Sequence, residues 1–158
     1  MKALNGIGDV FISVPRGKYT DKMVQMGCHF EELKIDRRGM NPLQEVRLIR
    51  DYVRLLNKVK PDIVLTYSIK PNVYLGYLCG RKGIPYIANV TGLGSSIQNK
   101  GISSKLTVLL YRIGLRKAGM VFCQNKSNRK FLLEQGVIKG RNDLIPGSGV
   151  NLTAHCFE

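Results

Sequence analysis

The sequence predicts an α/β fold: a Rossmann-like parallel sheet with helices on both faces. Three observations carry that prediction. Apolar, β-branched runs alternate with helical patterns along most of the chain, the order that builds βαβ units. The runs IVLTY at 63–67, PYIANV at 85–90 and MVF at 120–122 are almost continuously apolar, as strands buried on both sides are. Gly27, Pro61, Gly83 and Gly136 each stand where a helical pattern stops, which is what those residues do to a helix.

The elements follow in order. VFISV (10–14) is a short strand, and Pro15 and Gly17 make the turn after it. A short helix around Thr20 to Met26 stops at Gly27. HFEELKI (29–35) alternates and suits an outer strand. A strong helix then reads through NPLQEVRLIRDYVRLLNKVKPD, with Asn41 placed to cap it and Pro42 in the first helical position. Val46, Ile49, Val53 and Leu56 form its apolar stripe; Arg47, Arg50, Arg54 and Lys58 form a basic row beside it. Pro61 ends it, and IVLTY is a buried strand. A helix over 72–80 closes with Arg81, Lys82 and Gly83. PYIANV runs directly into the loop TGLGSS, 91–96. Residues 104–117 are amphipathic, with Leu106, Leu109, Leu110 and Ile113 facing one way and Lys105, Arg112 and Arg116 sharing another side. GMVFCQN (119–125) is a strand, 126–135 a helix, and NDLIP (142–146) the last strand. There is no internal repeat, low-complexity tract or linker, so residues 1–158 read as a single Rossmann-like domain.

Composition narrows the function. A chain of 158 residues with 44% hydrophobic and 23% charged residues is ordinary for a globular domain. Its formal net charge of +14 is not ordinary, and it implies an anionic partner: nucleic acid, an acidic membrane surface or phosphate groups on a substrate. A basic surface with no special partner is the alternative. Cys28, Cys79, Cys123 and Cys156 lie far apart with no C-x-x-C pair, and there are only two histidines. We therefore read reduced thiols in a cytosolic protein, no metal site and no cofactor. No signal peptide or transmembrane-length apolar run is visible.

In a parallel sheet the loops after Tyr67, Val90 and Cys123 share one rim, the edge where open α/β sheets hold ligands. TGLGSS is then a rim loop whose glycines let backbone approach a ligand and whose hydroxyls can bond to it. Glycines that only shape a turn are the plainer reading. The pattern GIG at 6–8 has no third glycine and no preceding strand, so it is a poor dinucleotide fingerprint and argues against a nucleotide-binding Rossmann enzyme. The first strand of such a unit is expected to be missing, leaving a gap in the sheet or letting 10–14 slide beside 63–67.

TYSIKPNVYLG (66–76), IPYIANVTGLGSS (84–96), VFCQN (121–125) and LIPGSGVNL (144–152) together resemble the amino-terminal domain of family 4 glycosyltransferases, most of all those that build bacterial capsule or lipid-linked oligosaccharides. The resemblance implies one half of a GT-B fold, the acceptor side, with the nucleotide-sugar domain absent and the chain truncated at both ends. It implies a complete enzyme that transfers a sugar, with retention, from a nucleotide diphosphate sugar to a lipid-linked acceptor, and a fragment inactive alone. Where many relatives have a histidine that contacts the donor sugar, this chain has Thr91. Lys70 and Asn72 of IKPN, Gly92, Gly94, Ser95 and Ser96 of the glycine loop, Gln124, Asn125 and Ser148 are the other candidate substrate-binding residues. Lys70 can hold a diphosphate as a point charge. No catalytic residue is assigned. The basic rows at 47–58 and 105–117 suit docking on an anionic inner leaflet, hence a cytoplasmic protein, peripheral on the membrane. The competing class is a basic nucleic-acid-binding module, which the charge permits, although no helix-turn-helix, zinc finger or ribonucleoprotein aromatic motif is present.

Overall fold

The computed structural model describes residues 6, 8–35, 41–93 and 102–147. Over them the chain is α/β, with parallel sheets flanked by helices. It divides into two compact units, Met1–Pro61 and Asp62–Glu158.

In the first unit, strands β1 (Phe11–Val14) and β2 (His29–Glu32) pair in parallel, with Phe11 opposite His29 and Val14 opposite Glu32. Helix α1 (Thr20–Gln25) is the crossover between them. The Thr20 hydroxyl accepts from the Gly17 N–H at 2.9 Å, and Gly27, at φ 86°, makes the left-handed exit that other residues resist. The hydrogen-bonded partner of β1 is β2. Helix α2 (Pro42–Val59) begins as its sequence predicts, with the Leu43 N–H donating to Asn41 Oδ1 at 3.0 Å. Its buried row differs from the predicted stripe. Leu48, Tyr52 and Leu56 are buried, while Val46 is 65% exposed. The buried row runs strictly i, i+4, i+8 and is anchored by a large aromatic ring, whose apolar body outweighs its hydroxyl.

The second unit is a four-stranded sheet in the order β3 (Val64–Tyr67), β4 (Tyr86–Val90), β5 (Met120–Cys123), β6 (Asn142–Leu144), parallel throughout. The crossovers are a π-helical turn, Pro71–Leu75, that continues into α3 (Gly76–Lys82), then α4 (Ile102–Leu115) and α5 (Lys126–Glu134). Strand order and chain order agree, so right-handed crossovers stack all three helices on one face. Val73, Ala88, Val90, Tyr111, Val121 and Leu132 meet there in one core cluster. The predicted burial on both sides is met on one face of β4, where Tyr86, Ala88 and Val90 are 0–1% exposed, while Ile87 and Asn89 on the other face are half-buried. It fails for β3. Leu65 and Tyr67 point away from the helices and are 40% and 53% exposed.

Two glycines set how closely the helices approach. A Cβ on Gly114 would lie 2.5 Å from Val73 Cα, and one on Gly76 would lie 2.6 Å from the Gly114 carbonyl oxygen. The Tyr86 hydroxyl reaches up from β4 and donates to that same Gly114 carbonyl at 2.6 Å. Burial pushes the Tyr86 hydroxyl up to about 12 and the nearby Cys79 thiol up to about 11. Cys28, Cys79 and Cys123 are all buried thiols, so they act as small hydrophobes; Cys156 lies outside the described residues.

Candidate functional site at the carboxyl rim of the second sheet

Because β3, β4 and β5 are parallel and adjacent, the residues that follow them emerge on one edge. Lys70 follows β3, Thr91 and Gly92 follow β4, and Gln124 and Asn125 follow β5. Thr91 and Asn125 are exposed there; Lys70, Gly92 and Gln124 are half-buried. Gln124 is tied to its neighbour by a hydrogen bond from its N–H to the Val90 carbonyl at 3.3 Å. Gly94, Ser95, Ser96 and Ser148 lie outside the described residues.

Two of the candidates have structural duties. Asn125 caps α5: its Oδ1 accepts from the Asn128 N–H at 2.7 Å. Asn72 is completely buried. Its Oδ1 accepts from the Thr66 hydroxyl at 2.6 Å, and its Nδ2 donates to the Asn89 carbonyl at 3.0 Å. The Tyr111 hydroxyl completes the cluster. It is hydrogen-bonded to Asn72 and reaches the Gly92 carbonyl at 3.5 Å. Burial raises its pKa, which keeps it neutral as a donor. The cluster thus joins β3, the π turn, β4 and α4 directly beneath the start of the glycine loop. Asn72 shapes the rim from below.

The local sequence explains that placement. Lys70 has helical φ and ψ and belongs to the first turn of the helix, so it stands at a helix start and not in a loop. Pro71 lacks an N–H, and the Gly76 N–H bonds back to the Pro71 carbonyl, the wide turn that makes the segment π-helical. Reading the sequence missed two residues. Ser68 joins β3 to the helix with φ 68°, a left-handed conformation in a non-glycine residue, and it is exposed at the rim. A serine between a strand and a helix was the only available signal. Asn89, the penultimate residue of β4, has a buried Oδ1 with no hydrogen-bond partner; in sequence it reads as an ordinary strand residue.

Chemically the rim offers backbone amides at a helix start, hydroxyls and a lysine ammonium. That set suits a phosphate or diphosphate oxygen and sugar hydroxyls. Among the described residues no three His, Cys, Asp or Glu side chains gather as a metal site, and no helix is long and apolar enough to cross a membrane.

Residues 4–125 match the family model described as glycosyl transferase 4-like. The chain belongs to that family. Ser68, Lys70, Thr91, Gly92, Gln124 and Asn125 all lie within the matched span. A curated relative, the N,N'-diacetylbacillosaminyl-diphospho-undecaprenol alpha-1,3-N-acetylgalactosaminyltransferase of Campylobacter jejuni subsp. jejuni serotype O:2, is 28% identical over 159 aligned residues. The alignment covers 96% of this chain and 42% of that protein. The crystal structure of Acinetobacter baumannii MurG matches with a TM-score of 0.56 at 13% identity, over 98% of this chain and 41% of that one. This likeness shows the fold: a glycosyl transferase 4-like domain with the topology of half a GT-B enzyme. The chain spans less than half the length of both proteins. None of these similarities supports the nucleic-acid alternative.

Proposed function

We propose that this glycosyl transferase 4-like chain is the acceptor side of a retaining glycosyltransferase, whose complete form moves a sugar from a nucleotide diphosphate sugar to a lipid-linked acceptor in cell-surface polysaccharide synthesis. One observation carries the reading: the family match covers the three parallel strands whose carboxyl ends form the rim. The relative's name, with its diphospho-undecaprenol acceptor, supports the substrate class.

In this reading Lys70 meets the acceptor diphosphate as a point charge, Thr91 and Ser68 offer hydroxyls to it, and the Gly92 backbone comes close to it. Gly94, Ser95, Ser96, Gln124 and Ser148 are further candidate contacts. Asn72 and Tyr111 hold the rim in register, and Asn125 holds the helix that borders it. The nucleotide sugar belongs to a second domain, and catalysis rests on positioning and on stabilising the leaving diphosphate. The working site is the cytoplasmic face of the membrane.

Binding of a short-chain polyprenyl diphosphate to the chain tests the reading. Lys70→Ala should weaken binding about tenfold, the scale of one charge-assisted contact, while the melting temperature stays unchanged. Equal binding by parent and variant would remove Lys70 from the site. With nucleotide sugar added, the chain alone should transfer nothing, and turnover above a no-enzyme control would refute the half-enzyme reading.

A further inference from the structure

Helix α4 (Ile102–Leu115) is apolar on two sides. Its inner side carries Val108, Tyr111 and Leu115, all buried, with Gly114 against the π turn. The apolar stripe that stands out in the sequence points the other way. Leu106, Leu109 and Ile113 are 44%, 48% and 43% exposed. At 100° per residue these three lie on the side of the helix opposite Tyr111 and Leu115. Lys105, Arg112 and Arg116 run along one edge of that stripe and are exposed; Arg112 spends one guanidinium nitrogen on the Gln135 carbonyl at 2.7 Å. The sequence around the helix is strongly basic, and the nearest acid in the chain beyond it, Glu134, pairs with Lys130 at 3.8 Å. From Ile63 to Leu133 the sequence has eleven lysines and arginines and no aspartate or glutamate.

We propose that the outward face of α4 is a lipid-insertion surface, in which Leu106, Leu109 and Ile113 enter an anionic bilayer while Lys105, Arg112 and Arg116 lie among its headgroups. Both halves of the surface argue for lipid. Three large aliphatic side chains exposed in a row gain by leaving water, and a basic row along their edge matches an anionic headgroup layer. Duplex nucleic acid would use the basic row and leave the aliphatic stripe wet. The same helix begins after the glycine loop, so insertion brings the rim to the bilayer surface. Only that last consequence rests on the lipid-linked acceptor of the preceding section; the insertion itself does not.

The chain has no tryptophan, so Leu109→Trp places a single reporter in the stripe. With phosphatidylglycerol–phosphatidylcholine vesicles, the Leu109→Trp emission should shift to the blue, and brominated acyl chains should quench it. Adding Leu106→Glu and Ile113→Glu should abolish the quenching and lower vesicle partitioning by at least about tenfold, since two buried aliphatic side chains are replaced by charges. Replacing Lys105, Arg112 and Arg116 by Gln should weaken binding and flatten its salt dependence. Far-UV circular dichroism checks folding, and Ile113→Trp serves if Leu109→Trp does not fold. Vesicle binding without quenching would overturn insertion. So would a blue shift without lipid that grows with protein concentration, because a second copy would then cover the face. Diphosphate binding by the Lys70→Ala variant is read separately, so failure at the rim and failure of insertion are distinguishable.

Discussion

Strands β1 and β4 are both short, parallel and followed by a helix, yet they live in different conditions. Along β4, Tyr86, Ala88 and Val90 are sealed under helices, and the last of them leads straight to Thr91 on the rim. Along β1 no residue is fully buried and Phe11 is 43% exposed; its ring stacks on His29 across the strand pair at 4.6 Å. The difference is the number of neighbours. β4 has a strand on each side and a three-helix layer above it, whereas β1 has one strand partner. A loop that must hold a ligand in fixed geometry needs the first setting, and the candidate rim is there.

The sharpest way to break this contrast is to add one methyl group in each unit. Gly114→Ala puts a Cβ 2.5–2.7 Å from the backbone of Asn72 and Val73, and backbone cannot step aside as a side chain end can. We expect a loss of about 3 kcal/mol, read as a lower urea midpoint with an unchanged slope. Gly17→Ala meets only the Pro15 carbonyl, at 3.9 Å, and should stay within about 0.5 kcal/mol of the parent. Equal costs would mean that the glycine contact is not what holds the π turn to α4.

Asn72→Ala tests the polar cluster under the rim. It leaves the Thr66 hydroxyl and the Asn89 carbonyl without their partner inside the core, which costs about 2 kcal/mol. Amide exchange at Gly92 and Leu93 should quicken in Asn72→Ala and stay at the parent rate in Lys70→Ala. Quickening in both would make the rim a single soft loop.

Alkaline titration sharpens the same comparison through ionisation. Cys79 and Tyr86 are acids whose pKa values burial raises, from 9.0 to about 11 and from 10.0 to about 12. The folded state therefore holds their protons more tightly than the unfolded chain does. The stability this represents is complete below pH 9 and is lost between pH 9 and about 12. Urea midpoints should fall across that window, and Cys79→Ala should remove the earlier part of the fall. A flat profile would mean that these groups reach water in the native state.

What could be read from the sequence depended on whether chemistry or packing decided the outcome. The strands, the parallel order and the Asn41 cap follow from residue types at close spacing, and all are present. The outward turn of Leu106, Leu109 and Ile113 could not be read. α4 is apolar on two sides, and its inner side is chosen by Gly114, which is the one residue small enough for contact with Val73. Asn72 misled for a similar reason. A polar residue beside a rim lysine reads as a ligand contact, and only its complete burial makes it a brace. Lys70, Thr91, Gly92 and Gln124 reached one edge because parallel topology alone requires it.

The smallest effect is expected in the first unit, where Lys58 Nζ, near the end of α2, donates to both carboxylate oxygens of Glu31 in β2, at 2.7 and 2.8 Å. The geometry is good, but the Lys58 side chain is 67% exposed. Water screens the attraction, and holding a long lysine in one rotamer costs entropy that offsets much of it. Lys58→Ala should therefore destabilise the protein by no more than about 1 kcal/mol, and the difference should shrink in high salt. A double-mutant cycle with Glu31→Ala isolates the pair from the rest of each side chain. A coupling of several kcal/mol, insensitive to salt, would show that this corner is shielded from water in solution. The first unit would then be held together much as β4 is, and the contrast between the two strands would lose its basis.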